Sequence, residues 1–134
     1  METDRLRDNK IIVILDTNFL LLPGRFNLRI ESIEDVVERK CQILIPTNVI
    51  SELNKIHLTG SDKICKEIAL KLSERYEKIN LEGPVDRSIL EYAKNNKCIV
   101  ATNDMKLKSD LRKLQTPVIF LKKGTRLALE GYIE

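Results

Sequence analysis

Four acidic side chains carry the chemistry that this sequence offers: Asp16, Glu52, Asp86 and Asp104. Asp16 directly follows the apolar run Ile11-Ile12-Val13-Ile14-Leu15. Glu52 lies one short helical stretch beyond Ile43-Leu44-Ile45. Asp86 opens a helical pattern, and Asp104 follows Cys98-Ile99-Val100-Ala101. In a parallel α/β sheet such positions gather at one edge, outside the carboxyl ends of the strands, where these sheets bind ligands. Carboxylates held together repel, so folding alone rarely accounts for a cluster of them, whereas a divalent cation with hard oxygen ligands does. Taken singly, each acid has a plainer reading: Asp16, Asp86 and Asp104 as first-turn or capping residues, Glu52 as a surface residue at the core boundary. All four plain readings would have to hold together at one sheet edge, which favours the joint one.

The elements that must position these acids follow from the apolar pattern. Ile11–Leu15 is a continuous β-branched run, as expected of a strand buried on both faces. Gln42–Ile45, Cys98–Ala101 and Val118–Leu121 read as three further strands. Pro23-Gly24 marks a break. Ser32-x-x-Asp35 resembles a capping box that opens a helix on Ile33, Val36 and Val37. A short helix starts at Pro46-Thr47 with Val49, Ile50, Leu53 and Ile56 on one face. After the turn Thr59–Asp62, a longer helix places Ile64, Cys65, Ile68, Ala69, Leu72, Tyr76 and Ile79 inward. Gly83-Pro84 ends it. Asp86–Asn96 forms a helix with Ile89, Leu90 and Ala93 inward, a stripe that Asp86 shares. Leu107, Leu111 and Leu114 define another, with Asp104 in register. Strands alternating with helices predict an α/β fold: one domain over residues 1–134, with a central parallel sheet of about four to five strands and helices on both faces. The segment 1–10 is charged. In the tail, 124–134, Leu127, Leu129 and Ile133 suggest packing back as an edge strand or coil.

Composition narrows the class. With 43% apolar and 32% charged residues, the chain is expected to be globular. No run approaches the roughly 20 apolar residues of a membrane span, and the charged start lacks a signal-peptide core, so a cytoplasmic protein without a membrane partner is expected. Cys41, Cys65 and Cys98 form no CxxC pair, which argues against a zinc site or a disulfide framework. The one histidine, His57, sits on a polar surface. No Ser/His/Asp set is therefore expected, and no Gly-rich phosphate loop occurs. Seven basic residues and one acid lie between Met105 and Arg126, which suits either a solvated helix face or a polyanion approaching the acids. Asn18, Thr102 and Asn103 add polar groups at the same edge. They either orient the carboxylates or serve local turns.

Leu15-Asp16-Thr17-Asn18, Pro46–Leu53, Val85-Asp86, Ala101-Thr102-Asn103-Asp104 and Pro117–Leu121 together resemble a PIN-domain ribonuclease along nearly the whole chain. The details are similar to the archaeal branch of small-subunit ribosomal RNA processing endonucleases, with the single-domain VapC toxins as neighbours. The resemblance implies a Mg²⁺- or Mn²⁺-dependent endoribonuclease with Asp16, Glu52, Asp86 and Asp104 as its acidic set. It implies ribosomal or transfer RNA as substrate, an antitoxin or ribosome-assembly partner, and a homodimer. Asp16 and Asp104, on strand ends, are expected to bind metal directly, and Glu52 and Asp86 through water. Lys106, Lys108 and Arg112 are expected to hold the RNA backbone. Arg87 stands where this branch often has a second acid; it weakens a metal site or adds a phosphate contact. Two other classes stay open: a non-cleaving RNA-binding scaffold and, at longer odds, a phospho-receiver module, whose paired acids after the first strand are missing here.

Overall fold

The computed structural model describes residues 10–123 and 126–133. The apolar run after Lys10 forms β1 (Ile11–Leu15), whose last three residues are fully buried. Two very short helices follow, α1 (Thr17–Leu20) and α2 (Leu22–Phe26), then α3 (Ser32–Val37). The order continues with β2 (Cys41–Pro46), α4 (Thr47–Lys55), α5 (Ser61–Ser73), β3 (Glu77–Ile79) and α6 (Val85–Asn95). It closes with β4 (Ile99–Ala101), α7 (Met105–Lys113), β5 (Val118–Lys122) and β6 (Arg126–Glu130).

The six strands form one sheet in the order β3-β2-β1-β4-β5-β6. Val13 at its centre pairs with Ile43 on one side and Ile99 on the other. The first five strands are parallel and β6 is antiparallel. Strand order runs outward from β1 in one direction and resumes from β4 on its other side. The gap between the carboxyl ends of β1 and β4 is therefore the topological switch point, where an open α/β sheet leaves a crevice. Asp16 follows one of those strands and Asp104 the other.

The sheet has six strands where the pattern predicted about four to five. The one not anticipated is β3; β6 is the tail, which packs back as an edge strand. The long helix does not run on through Tyr76 and Ile79. It ends at Ser73, where the Lys78 ammonium donates to the Ser73 and Tyr76 carbonyls and Glu77–Ile79 turns into the sheet beside β2. A three-residue edge strand carrying Glu77 and Lys78 blunts the open side of the sheet. At the other side Leu127 of β6 is buried and Leu129 is packed on the core. The segment 1–9 lies outside the described residues.

Three local expectations are corrected. Pro23-Gly24 does not break the chain but lies inside α2. Pro23 falls in the first turn, where its missing N–H costs nothing. A Cβ on Gly24 would stand 2.9 Å from Cys65 Cα, so the glycine is what lets α2 approach α5. Ser32 is not a capping residue; the cap position is Glu31, without a side-chain bond. Ile64 and Ile68 of α5 are exposed, and only Cys65, Ala69 and Ser73 of that helix are buried, so its apolar stripe is wider than the face it hides.

Candidate active site at the sheet switch point

Asp16 is 3% exposed. The first intrahelical carbonyl bond of α1, from Leu20 N–H to Asp16 O, and the bond from Asp16 N–H to Ala101 O hold its backbone between β1 and β4. Its carboxylate is gripped from two sides. Oδ1 accepts from Thr17 N–H at 2.7 Å, and Oδ2 accepts from Thr102 Oγ1 at 2.7 Å. Thr102 is fully buried, and its hydroxyl in turn accepts from Asp104 N–H at 3.0 Å. A single hydroxyl thus links the two acids on either side of the switch point. Both Asn side chains brace the same loop. Asn18 Oδ1 accepts from Asn103 N–H, and Asn103 Oδ1 accepts from Leu121 N–H, which pins the loop to β5.

Asp104 caps α7. Its Oδ1 accepts from Lys106 N–H and Leu107 N–H at 2.9 and 3.1 Å. The capping reading is thus correct for Asp104 but uses one oxygen, and no donor among the described residues engages Oδ2. Glu52 and Asp86 are exposed on α4 and α6. Asp86 stands on the rim rather than in the inward stripe; Val85 and Ile89 fill that stripe instead. Even so, the acids feel one another. Burial pushes Asp16 up to about 6, against the Thr102 and Thr17 hydrogen bonds, and the charges of Asp86 and Asp104 push the same way. Asp86 is raised by burial, then by Asp104 and Glu52, with Lys106 opposing. Asp16, Asp86 and Asp104 therefore share one electrostatic field at the switch point, and Glu52 acts on Asp86.

Two residues that matter here carried no signal of their own in the sequence. Asn48 Nδ2 donates to Gly83 O and to Ser88 Oγ, tying the start of α4, which bears Glu52, to the start of α6, which bears Asp86. Thr47 adds bonds to Asn80 and Leu81. A polar pair at a helix start reads as turn chemistry; only the contact across the fold, to Ser88, reveals the tie.

The basic residues divide. Lys106 is free to reach solvent, with its side chain 87% exposed and a loose ion pair to Asp110. Lys108 is 19% exposed; it pairs with Glu130 of β6 at 3.1 Å and lies 3.6 Å over the Phe120 ring. Arg112 pairs with Glu130 and donates to Thr116 O. These two fasten α7 to β5 and β6. Arg87 is exposed beside Asp86.

The donor set fits a hard divalent cation: four carboxylates, one of them desolvated without a compensating positive charge. Thr17 Oγ1 and Asn48 Oδ1 are buried with no partner among the described residues. Such orphaned atoms mark places for ordered water or the hydration shell of an ion. Among the described residues no three His, Cys, Asp or Glu converge to hold an ion directly. The fit is accordingly to a cation that keeps several of its waters, as Mg²⁺ does. No described helix is long and apolar enough to cross a membrane.

A parallel sheet in this strand order, with carboxylates gathered at its switch point, defines a PIN-type α/β domain. The chain belongs to the family described as "PIN like domain", which matches residues 13–124. It is similar to ribonuclease VapC9 of Archaeoglobus fulgidus, with 32% identity over 137 aligned residues that cover 97% of this chain and 98% of the relative. It is also similar to ribonuclease VapC4 of Methanocaldococcus jannaschii, with 29% identity over 128 residues, 90% of this chain and 98% of the relative. Among solved structures, the PIN domain endonuclease Utp24 superposes with a TM-score of 0.74 at 26% identity, covering 92% of this chain and 93% of that one.

Proposed function

We propose that this protein is a metal-dependent endoribonuclease that hydrolyses RNA phosphodiesters, with Asp16, Glu52, Asp86 and Asp104 as its acidic set. The observation that carries the proposal is the Asp16 carboxylate, buried at the switch point, oriented by Thr17 and Thr102, and lying in the field of Asp86 and Asp104. The relatives named ribonuclease and endonuclease support the same reading.

Asp16 and Asp104 would hold the cation directly, and Glu52 and Asp86 through its waters. Mg²⁺ or Mn²⁺, when bound, supplies a water of lowered pKa and neutralises charge on the leaving oxygen. The chain itself supplies position. Thr102 fixes the Asp16 carboxylate by donating to it. Asn18 and Asn103 hold the Thr102–Asp104 loop against β5. The Asn48–Ser88 bond keeps Glu52 and Asp86 in register. Lys106, close enough to Asp86 to lower its pKa, holds the RNA backbone next to the acids without reading sequence. Arg87 adds a second phosphate contact on the same rim.

The biological setting we infer is that of a VapC-type toxin in the cytoplasm, paired with an antitoxin. Phe26 on α2 and Ile64 and Ile68 on α5 are large exposed apolar side chains on two helices packed together. That surface is available to an antitoxin or to a second copy of the chain. Processing of ribosomal RNA is the alternative setting, and transfer RNA the alternative substrate. A non-cleaving RNA-binding scaffold is favoured by one observation, the absence of a direct three-acid cage among the described residues.

The deciding experiment compares wild type with Asp16→Asn on an end-labelled, structured ribosomal RNA fragment in Mn²⁺, Mg²⁺ and EDTA. Discrete cuts by wild type alone, abolished by EDTA, are expected. An RNA mobility shift by both proteins without cuts would replace the nuclease with the scaffold.

A further inference from the structure

A groove of about 410 Å³ opens beside the acids, between the loop 80–84 and one face of α6. Ser88, Glu91, Tyr92 and Asn95 recur along that helix every three or four residues and line one wall. Leu81 and Tyr92 are half-buried and packed against the core, so the apolar part of the lining is fixed. The start of α4 holds the other wall. Thr47 Oγ1 donates to Asn80 Oδ1 and Leu81 O, and Asn48 Nδ2 donates to Gly83 O and Ser88 Oγ. The bonds that tie the helix of Glu52 to the helix of Asp86 therefore also shape the groove. Arg87, at its mouth, directly follows Asp86.

The lining selects for one part of a nucleotide. Its volume falls in the range of small-molecule sites, roughly 300–1,000 Å³. Glu82 and Glu91 against the one lining cation, Arg87, make it a poor seat for phosphate. A flat ring suits it better. Tyr92 offers a stacking surface that tolerates any base. The Asn80 carboxamide and the Glu91 carboxylate line the same groove and supply a donor and an acceptor, which a base edge can meet in reverse. Asn95 Nδ2 donates to Glu91 O at 3.0 Å and to Glu91 Oε2 at 3.3 Å, which orients that carboxylate. We propose, on the reading of the acids as a nuclease site, that this groove takes one unpaired base of the RNA, stacked on Tyr92 and met at its edge by Asn80 and Glu91. Arg87 holds the phosphate between that base and the scissile bond. From Asp86 to Glu91 the helix rises about 7.5 Å, so the base belongs to a nucleotide close to the cut. A base inside a duplex is stacked and paired on that edge, which makes the groove selective for single strands.

Binding and cleavage are read separately. Full-length protein in EDTA, isotope-labelled for amide spectra, is titrated with short single-stranded RNAs of adenosine, cytidine or uridine, with an abasic sugar–phosphate chain of equal length, and with an RNA duplex. Saturable shifts of the Ser88, Glu91, Tyr92 and Asn95 amides are expected from the base-bearing single strands and not from the abasic chain or the duplex. Tyr92→Leu keeps apolar volume against the core and should weaken that binding about tenfold. Asn80→Ala, at an exposed loop position, should weaken it severalfold. Neither should change the salt slope, since no phosphate contact is lost. In Mn²⁺ both variants should alter which base stands beside the cut. Equal shifts from the abasic chain or the duplex, no shift in the groove from any RNA, or unchanged binding and cutting preference in both variants overturns the base pocket, and cutting by wild type then leaves the nuclease standing. Base-dependent shifts in the groove of a protein that cuts no RNA keep the base site and overturn the nuclease.

Discussion

The Thr102 hydroxyl donates to Asp16 Oδ2 at 2.7 Å and accepts from the Asp104 backbone N–H at 3.0 Å, wholly out of solvent. One side chain thereby sets the rotamer of the buried carboxylate after β1 and the entry of the chain into the helix that Asp104 caps. Thr102→Val keeps the shape and removes both roles. Leaving a buried carboxylate oxygen and an amide short of a partner costs about 1–3 kcal/mol. The Thr102 bond is the largest influence that lowers the Asp16 pKa, so its loss pushes that pKa above its present value. The acidic limb of the cleavage rate should move to higher pH, and denaturant unfolding should show the stability loss.

Asp16 has a second consequence, for stability against pH in metal-free protein. Its folded pKa of about 6 lies above the ordinary 3.8. The folded state therefore binds the proton more tightly than the unfolded chain does. That contribution is fully present below about pH 4 and is lost as pH rises through about 6. A rise of roughly 2 units corresponds to about 3 kcal/mol. In EDTA, Asp16→Asn should accordingly be more stable than wild type at pH 7, with the difference vanishing near pH 4. Thermal melts across that range check it; a variant less stable at pH 7 than wild type would contradict the burial cost.

Divalent cation acts on the same balance in reverse. A cation among the acids offsets the burial cost of the charged carboxylates, and the repulsion that adds to it, at Asp16 and Asp86, so Mg²⁺ or Mn²⁺ should raise the melting temperature of wild type at pH 7.5. The gain should shrink below about pH 6, where Asp16 takes up its proton. Asp16→Asn should show little of it. A cation effect equal in both proteins would mean that the ion binds elsewhere.

The strands and the acids were legible because both signals are local. A β-branched run such as Ile11–Leu15 reads as a buried strand from its own residues, and an acid immediately after it can be placed at the sheet edge once the sheet is parallel. What was hidden depends on partners distant in sequence. Glu77–Ile79 looked like the end of a helix, since Tyr76 and Ile79 continue its spacing; only pairing with Leu44–Pro46 makes it a strand. Lys108 and Arg112 looked like free cations, because Glu130 and Phe120 lie on strands that the sequence does not place beside α7. Ile64 and Ile68 followed the apolar period but face outward, because α5 has more apolar surface than α2 and α4 cover. Asn48 gave no sign of its bond to Ser88, forty residues on.

The two lysines at the start of α7 offer the last contrast. They are separated by one turn's partial rotation, and the fold gives them opposite work. Lys108, enclosed by Glu130 and Phe120, contributes a cation–π contact and an ion pair that together stabilise by about 1 kcal/mol. Lys108→Ala should lose that stability and leave the salt dependence of RNA binding nearly unchanged. Lys106 spends little on its exposed pair with Asp110 and projects beside Asp86. Lys106→Ala should leave the melting temperature within error yet lower RNA affinity and reduce the salt slope by about 1, the signature of one lost phosphate contact. Binding of labelled RNA to each variant at several salt concentrations, beside matched melts, separates the two roles. The reverse pattern would return Lys108 to the RNA face and place the path of the strand over β6 rather than over the acids.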